Sequence, residues 1–245
     1  MASEPSTSSH SEDRTASAFD PPLPEYVDWI VAAVIAFGGL TLTVGGSALA
    51  FVVDRDLLEA GIESGEITVI VVERELTEAQ MLDFTLGIVD WTGIGLLVTG
   101  VGLVLFALGY VFVRHRAYRQ AAEGEPVGST RSYAVLGAVA TAILSFIPFS
   151  PLVGGGVAGY LAQSDTGRSV SAGGLSGFLA MLPALSILGF LIVGMYTGLA
   201  GVGEAGLGIV AAAAMLIVVL FVVAYGAGLG ALGGFLGGRF AENDS

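Results

Sequence analysis

The residues best placed to do chemistry are Pro148 and Pro151, which break an apolar run just ahead of Gly154-Gly155-Gly156. Inside a bilayer, an interrupted helix frees backbone carbonyls and amides, and these can hold an ion or solute where they line a cavity. The same Pro-Phe-Ser-Pro stretch also makes an ordinary tight turn between two short helices. No charged residue lies between Arg131 and Asp165 to accompany a solute site, so the turn is the preferred reading. Asp90, beside Trp91 and near Asp83, would be a proton-relay candidate if it sat in hydrocarbon. Next to an interfacial Trp it is expected simply to meet water. Arg114, His115, Arg116 and Arg119 form a cationic cluster that can hold anionic head groups, and more simply fixes orientation.

Other chemistry has no residues to carry it. The histidines, His10 and His115, stand apart with no partner at ligand spacing, and the chain has no Cys. No metal is therefore expected, and thiol nucleophiles and thiolate clusters are excluded. There is no nucleophile elbow and no glycine loop leading into a Lys. The expectation is a non-enzyme without cofactors, and nothing points to nucleic acid.

What the chain does have is glycine at helical spacing. Gly226, Gly230, Gly234 and Gly238 recur every four residues, which puts them on one helix face where a second backbone can approach closely. Gly173 and Gly177, and Gly155 and Gly159, repeat the spacing; Gly95, Gly102 and Gly109 repeat at seven. In lipid, where Leu against Leu gains little over Leu against a lipid tail, such faces are a means of association. The expectation is glycine-zipper packing within the chain, with a homo-oligomer or a membrane-protein partner also open.

The elements that present these residues are long apolar segments. With 54% hydrophobic and 13% charged residues, against roughly 25% charged in soluble domains, the chain reads as an all-α polytopic transmembrane bundle. Residues 1–25 are a Ser-, Glu- and Pro-rich tail, expected to be disordered. Residues 26–113 form a two-span module, Trp29–Val53 and Trp91–Val113, around an acidic external segment, 54–90. Within that segment Asp56–Ser64 suggests a short helix, Ile67–Val72 a strand, and Thr77 a helix cap. Residues 114–131 read as a basic linker containing Glu123-Gly124-Glu125-Pro126.

Residues 132–240 form a Gly-rich unit, followed by a tail at 241–245. Residues 133–163 are split by the prolines into halves too short to cross alone, about 22 Å for the first. They are expected to enter and return as a broken hairpin, whether re-entrant or as two short crossings. Spans at 170–199, with Pro183 inside, and 207–236 complete four full crossings. This arrangement puts Arg114, Arg116, Arg119, Arg131, Arg168 and Arg239 on one face, read by the positive-inside rule as cytoplasmic together with both termini.

The charge is −13, with ten acids in 54–90 alone, and all nine basic residues are Arg. An acidic, lysine-free surface suits the concentrated salt of a halophilic archaeon.

The segment Leu144–Leu161, LSFIPFSPLVGGGVAGYL, with the Gly-rich spans that follow, resembles a haloarchaeal multi-pass membrane protein family classed as a domain of unknown function. The similarity covers about residues 131–240, and Pro148–Gly155 is its most specific part. It implies a compact helical bundle in a cell membrane and assigns no activity or site residues. The function expected from the whole is a structural or accessory membrane component packing or self-associating through glycine faces. The alternative is a small-solute or ion channel or transporter built on the broken hairpin.

Overall fold

The computed structural model describes residues 24–66, 70–71, 74–122, 130–162 and 166–243. Among them are seven helices and one two-residue ladder: α1 (Glu25–Phe51), α2 (Arg55–Glu63), β1 (Ile70–Val71), β2 (Arg74–Glu75), α3 (Glu78–Ala122), α4 (Thr130–Ile143), α5 (Ser150–Ala162), α6 (Thr166–Gly201) and α7 (Ala205–Asn243). Four of these, α1, α3, α6 and α7, are long and apolar enough to cross a membrane. The acidic tail up to residue 23, the Glu123–Pro126 segment and residues 244–245 lie outside the described residues.

Local chemistry sets the boundaries. Helix α1 begins directly after Pro24. Asp54 caps α2 by accepting from the Leu57 amide at 3.0 Å. Thr77 and Gln80 form a reciprocal box at the start of α3, with Gln80 N–H donating to Thr77 Oγ1 and Thr77 N–H to Gln80 Oε1. The expected strand at 67–72 reduces to Ile70–Val71 paired antiparallel with Arg74–Glu75; residues 67–69 and 72–73 lie outside the described residues. Between α6 and α7, Gly203 takes a φ of +86°, a left-handed turn open to glycine without penalty. Its amide bonds back to the Ala200 carbonyl.

The chain folds back on itself throughout. Gly39 lies against Gly100 and Gly46 against Gly93, so α1 and α3 are antiparallel. Gly87 lies against Gly198 and Gly95 against Phe190, which makes α6 antiparallel to α3. Gly177 meets Gly226 and Ser169 meets Gly234, which makes α7 antiparallel to α6. These directions gather the ends bearing Arg114, Arg116, Arg119, Arg131, Arg168 and Arg239 at one end of the bundle.

Helices α4 and α5 are the two halves of the split segment. They run antiparallel, with Gly154 set against Gly137 and Thr141, and α5 runs parallel to α7, with Gly155 against Gly230 and Gly159 against Gly234. The hairpin starts at the arginine end and turns about half-way along the bundle, where Ala142 and Leu182 line one cavity. Its tip leaves Phe146, Ile147 and Phe149 exposed. Backbone polar groups cannot stay unsatisfied in hydrocarbon. The amides of Leu144, Ser145, Ile147, Ser150 and Leu152 bond to carbonyls three or four residues back, and Pro148 and Pro151 bring no donor.

Helix α3 differs from expectation in length. It continues past Val113 to Ala122, so the first part of the basic 114–131 segment is helix and not linker. Its arginines thereby keep helical register with the span below.

The turn holds Phe149 at a φ of +68°, a conformation that is unfavourable by about 1–2 kcal/mol for a residue with a Cβ. Phe149→Gly should raise thermal stability in detergent by roughly 0.5–1 kcal/mol. A lower melting temperature would show that the Phe side chain contributes more than its backbone loses.

Candidate functional site: a buried ion pair and a glycine weld

The most concentrated polar chemistry lies at the arginine end, where α1, α3 and α4 meet. Arg114 Nε donates to Asp28 Oδ2 at 2.7 Å, and both side chains are almost completely buried, 7% and 5% exposed. Tyr110 donates its hydroxyl to Asp28 Oδ1 at 2.5 Å and Tyr118 donates to Oδ2 at 2.6 Å. Arg114 Nη1 reaches across to Ser132 Oγ on α4 at 2.9 Å, and the guanidinium lies over the Tyr118 ring, 5.1 Å from its centroid. The carboxylate thus receives three donors while the guanidinium is shared between acid, hydroxyl and ring. Saturation of this kind is what makes a buried ion pair tolerable.

The cluster gives Arg114 a buried partner in Asp28, a contact beyond the orientation role read from the sequence. The signal was in the sequence: Tyr110, Arg114 and Tyr118 stand four apart on one face of α3. Asp28 reads as the residue before a span, and only the start of α1 at Glu25 draws it inside. A small cavity of about 80 Å³ adjoins the cluster, bordered by Glu25, Asp28, Trp29, Arg114, His115 and Tyr118.

The other orientation residues, Arg116, Arg119, Arg131, Arg168 and Arg239, are exposed at the same end, and Arg239 lies over the Phe235 ring. Asp90 is exposed, and Asp83 pairs with Arg55 at 3.4 Å on the exterior. Other polar groups cross between helices or stay alone inside. Thr99 Oγ1 donates to Ser186 Oγ at 2.8 Å, tying α3 to α6. Among the described residues, Thr85 Oγ1 and Ser176 Oγ are buried without a hydrogen-bond partner.

The second constellation is the glycine surface of α7. A Cβ on Gly226, Gly230 or Gly234 would collide with Met181 and Gly177, with Gly173, or with Ser169 and Gly173 of α6. Gly238 abuts the Ser169 side chain. Gly155 and Gly159 of α5 press onto the backbone of Gly230 and Gly234, and Gly173 and Gly177 of α6 do the same from the other side. A second α7 face that spacing did not single out, Gly233 and Gly237, takes the backbone of Leu152, Gly156 and Tyr160.

On α3 the seam differs from expectation. Gly95 meets Phe190 of α6, while a Cβ at Gly102 or Gly109 would meet nothing within 4 Å. The α1 seam uses Gly93 and Gly100 instead, again seven apart; a Cβ on Gly39 would lie 2.7 Å from the Gly100 carbonyl oxygen. Spacing alone defines several faces on a glycine-rich helix, and only the partner selects one.

Around the helix break, Pro148 lies in the tip and Pro151 is fully buried in the first turn of α5. Gly154 faces Gly137 and Thr141, Gly155 faces Gly230, and Gly156 faces Gly233 more loosely, a Cβ there lying 3.6 Å from the Gly233 carbonyl. Protein backbone therefore occupies the Gly154 and Gly155 side of α5, whereas Gly156 borders an apolar cavity of about 410 Å³ together with Leu152, Tyr160, Gly233 and Gly237.

Residues 131–240 match the model of a family of unknown function (DUF5518). No curated protein and no solved structure matches the chain. The matched segment begins at the arginine end of α4 and closes with α7, so it contains the whole glycine weld.

Among the described residues Arg114 is the cation paired with Asp28, so Arg114→Met should lower stability by about 3–5 kcal/mol, the effect of stranding a buried charge. Asp28→Asn combined with Arg114→Met should recover most of that loss. Thermal unfolding in detergent checks both; a single variant as stable as the double would show that the pair is not buried.

Proposed function

We propose that the protein is a non-enzymatic integral membrane component with a structural or accessory role, in which glycine faces weld the 132–240 unit into one rigid body. The observation that carries this reading is the α7 ladder, Gly226 to Gly238, which is occupied along its length by the backbones and side chains of α5 and α6. A ladder consumed inside the subunit leaves no such face for a second copy, which favours packing over self-association through these glycines. The exposed apolar side chains on the helices, Phe37, Val44, Phe112, Ile217, Leu220 and Phe221 among them, fit a surrounding of lipid tails. The close packing at Gly154 and Gly155 and the apolar lining of the cavity beside Gly156 count against a polar solute path through the hairpin.

The arginine end is read as cytoplasmic, because six arginines flank the helices there and such flanks stay inside. The acidic, lysine-free composition supports a halophilic source.

Two experiments test this reading. Gly230→Ile and Gly234→Ile should each lower stability by about 3 kcal/mol or more, since the added atoms meet backbone that cannot yield, without changing the particle size. Unchanged melting would overturn the weld. For orientation, Gly167 and Gly206 have nothing within 4 Å of a Cβ, and the chain is free of Cys. Gly206→Cys should label from outside intact cells and Gly167→Cys only after lysis; the reverse pattern would invert the topology.

A further inference from the structure

Below the Asp28–Arg114 cluster, toward the bundle's middle, an apolar layer of Val31, Ala32, Tyr110, Val135 and Val139 opens into a cavity of about 200 Å³. Four helices wall it, with Gly38 of α1, Phe106 of α3, Ala138 and Ala142 of α4, and Ala180 and Pro183 of α6 among the lining residues. Small side chains create the space. Pro183 adds to it, because its ring displaces the helical hydrogen bond to the Leu179 carbonyl on the same wall. The cavity is larger than the engineered one of about 150 Å³ that stays dry and binds benzene, and its lining offers water almost no partners.

An open apolar void facing hydrocarbon leaves its lining atoms without dispersion contacts. One helical turn beyond Val135, on the α4 face that continues through Ala138, Val139 and Ala142, stands the exposed Arg131. We propose that this cavity is a binding site for one bilayer lipid, its hydrocarbon chain wedged between the N-terminal helix pair and the DUF5518 segment and its anionic head group held by Arg131. The inference rests on the membrane reading above. The chain completes the thin junction between α1 and α4, where protein side chains alone leave a gap.

Gly38 provides a selective test, because it lines the cavity and a Cβ there meets nothing within 4 Å. Gly38→Leu therefore fills the site from within and also replaces a helical glycine. The full chain is reconstituted into phosphatidylcholine vesicles containing phosphatidylglycerol, re-extracted in mild detergent, and its retained lipid counted by native mass spectrometry. The wild type should keep one phosphatidylglycerol. Gly38→Leu should reduce retention about tenfold, the scale of a binding site largely filled, while melting at a higher temperature than the wild type in lipid-free detergent. Ala142→Leu, which enters from α4, repeats the measurement should Gly38→Leu not fold.

Leu220→Phe, on an exposed part of α7, should change nothing. Arg131→Gln should keep a lipid but lose the preference for phosphatidylglycerol over phosphatidylcholine. Undiminished retention in the folded filling variants, or no lipid on the wild type, overturns the site. An unaltered preference in Arg131→Gln overturns the head-group assignment. Alkaline carbonate separates this from the premise: a wild type released from membranes defeats the membrane reading, whereas a resistant one lacking lipid defeats the lipid site alone.

Discussion

Backbone-to-backbone approach is the constraint from which the rest of this molecule follows. Between helices already solvated by hydrocarbon, apolar burial contributes little, so association must come from close van der Waals fit. Only residues without a side chain let two helix axes approach that far. Helix α7 takes this furthest, receiving α6 on Gly226, Gly230 and Gly234 and α5 on Gly233 and Gly237. Because α5 is held there, α4 has a partner, and the short hairpin keeps its place beside helices more than twice its length.

The Asp28–Arg114 pair operates by a different logic. Its value lies in specificity more than in strength, since a desolvated ion pair returns little net stability yet penalises arrangements that separate it. Arg114 on α3 touches both Asp28 on α1 and Ser132 on α4. That geometry sets the rotation of α3 and the depth of α1 against α4. Thr99 and Ser186 make a second tie between the helix pair and the glycine-rich unit.

The long helices and their alternating order were legible in the sequence because length, apolarity and the placing of the arginines report them without reference to partners. The hairpin was legible for the same reason: Pro148 and Pro151 leave halves too short to cross, whichever neighbour they find. The ladder at Gly226–Gly238 was legible because four glycines recur every four residues and so fix one face, whereas the second face at Gly233 and Gly237 shows only once α5 is in place. The seam on α3 was not, since Gly93, Gly95, Gly100, Gly102 and Gly109 offer overlapping seven-residue repeats and α1 takes the first and third. The ion pair was hidden by a boundary effect. Asp28 and Arg114 both sit at span ends, where charge ordinarily meets water, and their burial depends on α4 closing over them.

The half-length hairpin has a geometric consequence. Among the described residues, six helices share the cross-section at the arginine end, whereas beyond the turn of the hairpin the long helices α1, α3, α6 and α7 continue, with the short α2 packed on α3 at the far end. In a bilayer crossed by the four long helices, the half-length hairpin would add its area to the leaflet at the arginine end and give these helices the outline of a wedge. A wedge sits most comfortably where the bilayer bends away from its broad end, so crowding many copies would impose curvature on a flat membrane without any copy touching another.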